Sequence, residues 1–231
     1  MRKIGLIGGM SWVSTESYYR RINSEVQRKM GGFTSAHMLI ESVNFSDYAR
    51  LQSDDDWEAA AGLMMRSAKR LQVSGATAIF ICSNAMHKIH EQVEDAIDVP
   101  LPHIADCVGD KMVEDRIKTA ALVGSRNVMT EGFYRKRLVG KGITLTPPEA
   151  ARVDEIDRII YEELMFHEVK RDSERTMKTF FTDIAKQDVE AIVLGSTELD
   201  LVVNTKSNIL PIYDSTEIHA DAAVEWILAD D

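Results

Sequence analysis

Two serines stand where short apolar runs stop. Ala78-Ile79-Phe80-Ile81-Cys82 leads into Ser83, and Ala191-Ile192-Val193-Leu194-Gly195 leads into Ser196. A hydroxyl between a buried strand and a helix can do either of two jobs. It can cap the helix, accepting a backbone N–H of the next turn. It can also join the free N–H groups of that helix start in holding a carboxylate. Asn84 and Thr197 follow the serines and add side-chain donors. Neither serine has the Gly-x-Ser-x-Gly flanks of a hydrolase nucleophile: the flanks are Ile-Cys-Ser-Asn-Ala and Leu-Gly-Ser-Thr-Glu. The turn Gly8-Gly9-Met10-Ser11 lacks the spacing of a phosphate loop, but its glycines let backbone N–H groups approach a ligand.

The remaining reactive side chains form weaker patterns. Cys82 and Cys107 are too few and too far apart for a disulfide framework, which points to a reducing compartment. Cys82 directly precedes Ser83, and strand alternation turns its side chain to the opposite face. His87 and His90 share a helical face without a third ligand at standard spacing, and His103, Asp106 and Cys107 are a loose cluster. Both groups read as surface or capping residues, so no metal site is expected. Asp54-Asp55-Asp56 reads as a solvated helix start.

These groups must be positioned by alternating elements. Apolar runs at 4–7, 37–43, 76–82, 119–123, 191–194 and 209–212 are short and apolar on both faces. Strands of a parallel sheet covered by helices on both sides have that character. Helical patterns occupy 14–29, 56–73, 85–96, 130–140, 152–166, 173–186 and 216–228. The alternation predicts an α/β fold with right-handed crossovers. The chain also resembles itself: Gly5-Leu6-Ile7-Gly8 aligns with Ala121-Leu122-Val123-Gly124, and the run ending at Ser83 aligns with that ending at Ser196. Either apolar strands followed by small residues recur by chance, or the chain holds two related α/β halves. In the second case both serines fall at carboxyl strand ends, where open α/β sheets bind ligands.

Composition narrows the classes of function. The 231 residues carry 27 Lys+Arg against 37 Asp+Glu, a net charge of −10 that disfavours nucleic acid and anionic membrane surfaces. No apolar run approaches the length of a membrane helix, and the N-terminal run is too short and glycine-rich for a signal peptide. A cytoplasmic protein is expected.

Several stretches together resemble the aspartate/glutamate racemase family, most of all its bacterial branch that works without pyridoxal phosphate. They are Ile7-Gly8-Gly9-Met10-Ser11-Trp12 with Ser14-Thr15 and Tyr18-Tyr19, and Asn84-Ala85-Met86-His87-Lys88. Gly124, Phe133-Tyr134, Glu162-Glu163-Leu164, Gly195-Ser196-Thr197-Glu198, and Asp214-Ser215-Thr216 with His219 continue the match along the full length. The resemblance implies two pseudo-symmetric α/β domains, each a parallel sheet flanked by helices, with the active site in the interdomain cleft. The first domain would hold residues 1–100 plus 212–231 and the second 101–211. It implies a homodimer without a cofactor, acting on a small amino acid or dicarboxylate.

In such racemases two acid/base groups flank the substrate Cα, one removing the α-proton and the other delivering a proton to the opposite face. The resemblance puts these roles on Ser83 and Ser196, where most relatives carry cysteines. Substrate contacts would come from Gly9, Met10, Gln52, Asn84, Ala85, Ser125, Thr197 and Glu198, largely through backbone N–H groups, with His87 and His219 behind them. Ala85 and Val128 stand where relatives usually carry threonines, and Met165 or its neighbours where some carry a lysine. A hydroxyl is several pK units more basic than a thiol, and each unit is about 1.36 kcal/mol, so racemisation is expected to be impaired. The other expectations are a related decarboxylase or isomerase on a small carboxylate, and a carboxylate-binding protein without chemistry.

Overall fold

A computed structural model of the chain describes residues 1–203 and 208–229. The chain divides into two units, Met1–His103 with His219–Asp231, and Ile104–Ile218.

The first unit is built on three parallel strands, β1 (Ile4–Gly8), β2 (Met38–Ser42) and β3 (Ala78–Ile81), in the order β2-β1-β3. Strands β1 and β3 are buried throughout because apolar side chains leave both of their faces. On one face Ile7, Ile79 and Ile81 pack with Ala60, Ala61, Met64, Ala68 and Leu71 of α3 (Trp57–Val73). On the other, Ile4, Leu6, Ala78, Phe80 and Cys82 meet Tyr18, Ile22 and Val26 of α1 (Trp12–Met30). Ala220, Ala223, Val224 and Ile227 complete this second face. Cys82 thus lies with Ala78 and Phe80, as alternation requires. Helix α2 (Phe45–Ser53), capped by Asn44, follows β2. The helical pattern at 85–96 resolves into a 3₁₀ turn, Ala85–Ile89, and the short α4 (His90–Glu94).

The second unit begins with α5 (Ile104–Glu114) and is built on β4 (Thr119–Gly124), β5 (Thr144–Leu145), β6 (Ala191–Gly195) and β7 (Ile212–Asp214). All pairings are parallel, in the order β5-β4-β6-β7. Between β4 and β5 lie α6 (Arg126–Thr130) and α7 (Gly132–Gly140). Helix α7 is tied to α5 by Arg137–Asp106 and Lys141–Asp110 ion pairs. The other sheet face packs Ala121, Val123, Ile192 and Leu194 against α8 (Ala150–Glu162) and α9 (Arg171–Ile184). The last helix, α10 (Ser215–Leu228), starts in this unit and ends in the first.

The α/β architecture of parallel sheets flanked by helices is therefore what the alternation predicts. The order β2-β1-β3 in one unit matches β5-β4-β6 in the other. Ile7 is level with Ile81 and Val123 with Leu194, so Ser83 and Ser196 each lie two residues beyond a matching pair. The last strand differs from its expectation at 209–212. It starts at Ile212 and pairs with β6, so residues 212–218 go with the second unit and not with the first. Among the described residues no helix is long and apolar enough to cross a membrane.

Candidate active site

At the end of β3 the chain turns directly into the 3₁₀ turn. Ser83 is half-buried, and its backbone carbonyl accepts a hydrogen bond of 2.8 Å from His87 Nδ1. Because a carbonyl only accepts, this bond fixes the proton of His87 on Nδ1. The turn's cap is Asn84, so the reading of Ser83 as a helix cap is corrected: the apolar run extends one residue too far for it. The Asn84 side chain caps nothing. It is 5% exposed, and among the described residues neither its Nδ2 nor its Oδ1 has a hydrogen-bond partner. An unsatisfied buried amide costs about 1–3 kcal/mol, which a polar partner would recover. Ala85 opens the 3₁₀ turn beside it, and Gln52 lies half-buried on α2.

The glycine turn after β1 is built tightly. Gly9 has φ +89°, and a Cβ there would come within 2.1 Å of the Val43 carbonyl oxygen. Thr15 locks the turn, accepting from Gly9 N at 2.7 Å and donating to the Ser11 carbonyl at 3.0 Å. The expectation that the Gly9 N–H faces a substrate carboxylate is corrected, because Thr15 already takes it. Met10 is buried in the α3-side core, so its side chain serves packing.

Behind Ser83 lie four buried histidines. The His87 ring packs on those of His90, His103 and His219 with centroids 4.7–6.0 Å apart. His219 donates from Nε2 to the Pro102 carbonyl at 3.1 Å, leaving Nδ1 to accept from the Tyr18 hydroxyl at 2.7 Å. Complete burial lowers its pKa to about 4, so the ring is neutral. The reading of His87, His90 and His103 as surface or capping residues gives way to a packed core cluster.

At the end of β6 the same position is built differently. Gly124 and Gly195 lie side by side on β4 and β6, and a Cβ on Gly124 would come within 2.6 Å of the Gly195 carbonyl oxygen. Val128 fills the space against Gly195, where a threonine would bring a hydroxyl. Ser196 is 8% exposed and in extended conformation (φ −153°, ψ 129°). It precedes the 3₁₀ turn Thr197–Leu201 without capping it with its side chain. Its Oγ instead donates to Glu198 Oε2 at 2.8 Å, and that carboxylate is 6% exposed. The capping expectation for Ser196 is corrected by this bond.

Neighbouring groups in the second unit are engaged as well. The Thr197 hydroxyl is 2.7 Å from that of Thr216. Asp214 caps α10, accepting from Thr216 N at 2.8 Å and Glu217 N at 3.2 Å. Burial pushes the Asp214 carboxyl up to about 7 despite those two donors, with the Glu217 and Asp200 charges adding to the rise. Ser125 caps α6 by position, but its side chain makes no capping bond. Met165 packs against the α8–α9 core rather than presenting itself to a ligand.

Burial keeps both thiols protonated. Cys82 is fully buried beneath β3, which pushes its pKa up, and burial likewise raises Cys107 to about 12. Serine hydroxyls and carboxylates are the groups the two strand ends offer for moving a proton.

Comparison with known proteins bears on the family and the fold. A Bacillus subtilis (strain 168) relative, the broad specificity amino-acid racemase RacX, is 24% identical over 232 residues, covering 98% of each chain. The solved structure of a candidate Asp/Glu racemase from Yersinia pestis is 39% identical, with a TM-score of 0.92 over 99% of this chain and 100% of that one. An aspartate racemase homologue from Pyrococcus horikoshii OT3 is 29% identical, with a TM-score of 0.84 over 99% and 100%. The Asp/Glu/hydantoin racemase family model matches residues 7–223, and with 39% identity to the Yersinia pestis chain over 99% of its own length this chain belongs to that family.

Proposed function

We propose that the chain is a cofactor-independent amino-acid racemase of the aspartate/glutamate type, slowed by hydroxyls at both proton-transfer positions. Ser83 serves one face of the substrate Cα and Ser196 the other. The observation that carries the binding half of this reading is Asn84. Its buried carboxamide, one residue from Ser83, has a donor and an acceptor without partners among the described residues, and an amino acid supplies a carboxylate and an ammonium group to match them. Ala85, Ser125, Thr197 and Glu198 contribute contacts around the same substrate, Gln52 and Met10 the adjacent walls, and His87 and His219 hold the Ser83 turn from behind.

The chemistry follows from acidity. An α-proton between an ammonium and a carboxylate becomes removable when the developing negative charge is met by fixed donors. Hydroxyls relay protons poorly without help, so turnover should fall several orders of magnitude below that of a thiol pair. The protein is proposed to work in the cytoplasm as a homodimer. Incubation of L- and D-aspartate and glutamate in heavy water, followed by proton NMR, tests the reading. Loss of the α-hydrogen signal is expected, accelerated in Ser196→Cys. If neither the natural chain nor Ser196→Cys exchanges the α-hydrogen of either amino acid, the racemase reading fails.

A further inference from the structure

The two proton-transfer positions differ in what stands behind the hydroxyl. Ser196 Oγ donates a 2.8 Å hydrogen bond to Glu198 Oε2, and both residues are nearly buried. At the end of β3 the only hydrogen bond to Ser83 among the described residues goes to its carbonyl, from His87. The ring holds the backbone there and does not address the hydroxyl.

Resting on the racemase reading, we infer that Glu198 is the proton acceptor behind Ser196, and that the Ser83 position has no counterpart. In the step this implies, Ser196 Oγ takes the substrate α-proton as its own proton passes to the Glu198 carboxylate. The C–H electron pair stays on Cα, the serine remains neutral, and Glu198 becomes a carboxylic acid. Reversal returns a proton to the same face. Charge is conserved, and no alkoxide forms. A carboxylate accepts a proton through this relay far less reluctantly than a serine could hold a negative charge alone. Glu198 acts through Ser196 and is a positioning residue in that sense.

The consequence is a one-sided activity. The face served by Ser196 can lose and regain a proton, whereas inversion needs Ser83 to donate from a hydroxyl with no acid to replenish it. The chain should therefore exchange the α-hydrogen of one enantiomer with retention faster than it racemises.

The test follows exchange by proton NMR and racemisation by polarimetry in heavy water, for four chains: natural, Glu198→Gln, Ser196→Cys, and Ser196→Cys with Glu198→Gln. Glutamine keeps the shape and an acceptor oxygen but cannot hold the proton. In the serine chain Glu198→Gln should lower kcat for exchange about 100-fold or more. In the cysteine chain, whose thiolate is itself the base, the same change should cost less than about tenfold. Equal losses in both backgrounds would reduce Glu198 to a structural prop, and no loss in the serine chain would remove it from the reaction. Racemisation as fast as exchange in the natural chain would overturn the inequality of the two positions. Absence of exchange in all four chains would instead sink the underlying racemase reading.

Discussion

The ends of β3 and β6 occupy matching places in matching sheets, yet they solve different problems. Around Ser83 the Asn84 carboxamide is buried without a partner among the described residues, and His87 grips the Ser83 backbone. Around Ser196 nearly every polar group is already engaged, Ser196 with Glu198, Thr197 with Thr216, and Asp214 with the α10 amides. On the proposed reading the first end receives a ligand and the second manages protons. Likeness of topology fixed where the hydroxyls stand but left their surroundings free to diverge.

The largest expected effect erases the difference from the Ser83 side. Ser83→Cys gives that position a group able to hold and release a proton by itself, so racemisation should rise about a thousandfold toward the rate of exchange. Measuring both rates on the same sample checks this. A rise in exchange without racemisation would mean that Ser83 does not face the substrate.

A second contrast lies in how the units answer acid. His219 is held neutral down to about pH 4, whereas the unfolded imidazole takes up a proton near 6.5. Its contribution is intact above pH 6.5, falls as the pH drops, and levels off below 4 after a loss of about 3 kcal/mol. Asp214 behaves in the opposite sense. Its folded carboxyl titrates at about 7 and the unfolded one at 3.8, so the folded state gains stability as the pH falls between those values. Amide hydrogen exchange in β3 and β6 between pH 7.5 and pH 5, corrected for intrinsic rates, should show protection falling in the first strand. His219→Gln should flatten the β3 response and Asp214→Asn should flatten any rise in β6. The same slope in both strands, insensitive to both substitutions, would remove the contrast.

The smallest effect concerns the residues next to the serines. Without ligand, Asn84→Ala should raise the unfolding free energy by up to about 1 kcal/mol, because the lost packing offsets only part of the relief from an unsatisfied group. Thr197→Val should cost about 1 kcal/mol, since it strands the Thr216 hydroxyl. Urea midpoints of the two variants check the order.

Much of this was legible in the sequence, for identifiable reasons. Buried parallel strands advertise themselves, and 4–7, 119–123 and 191–194 lie within β1, β4 and β6. Helix α5 was hidden because Pro100 and Pro102 read as punctuation just before it, and α2 because nine residues offer only Phe45, Tyr48 and Leu51 as a stripe. Strand β5 is two residues long and leaves no periodic signal. At the site, the residue types at the strand ends were readable, but their hydrogen bonds were not. Whether Gly9 N–H meets a ligand or Thr15, and whether Ser196 caps a turn or donates to Glu198, depends on side-chain directions that spacing alone leaves open. The 3₁₀ turn after Ser196 accompanies an i to i+2 contact that helical periodicity does not anticipate.

Helix α10 contributes Ala220, Ala223, Val224 and Ile227 to the core beneath β1 and β3, and His219 beside Tyr18. During vectorial synthesis the earliest strands therefore leave the ribosome with one wall of their interior still untranslated. The intervening unit has its whole core available before that wall emerges. A stalled or truncated polypeptide lacking those last turns would carry a finished Ser196 half beside an uncovered amino-terminal sheet, a natural target for chaperones and proteases.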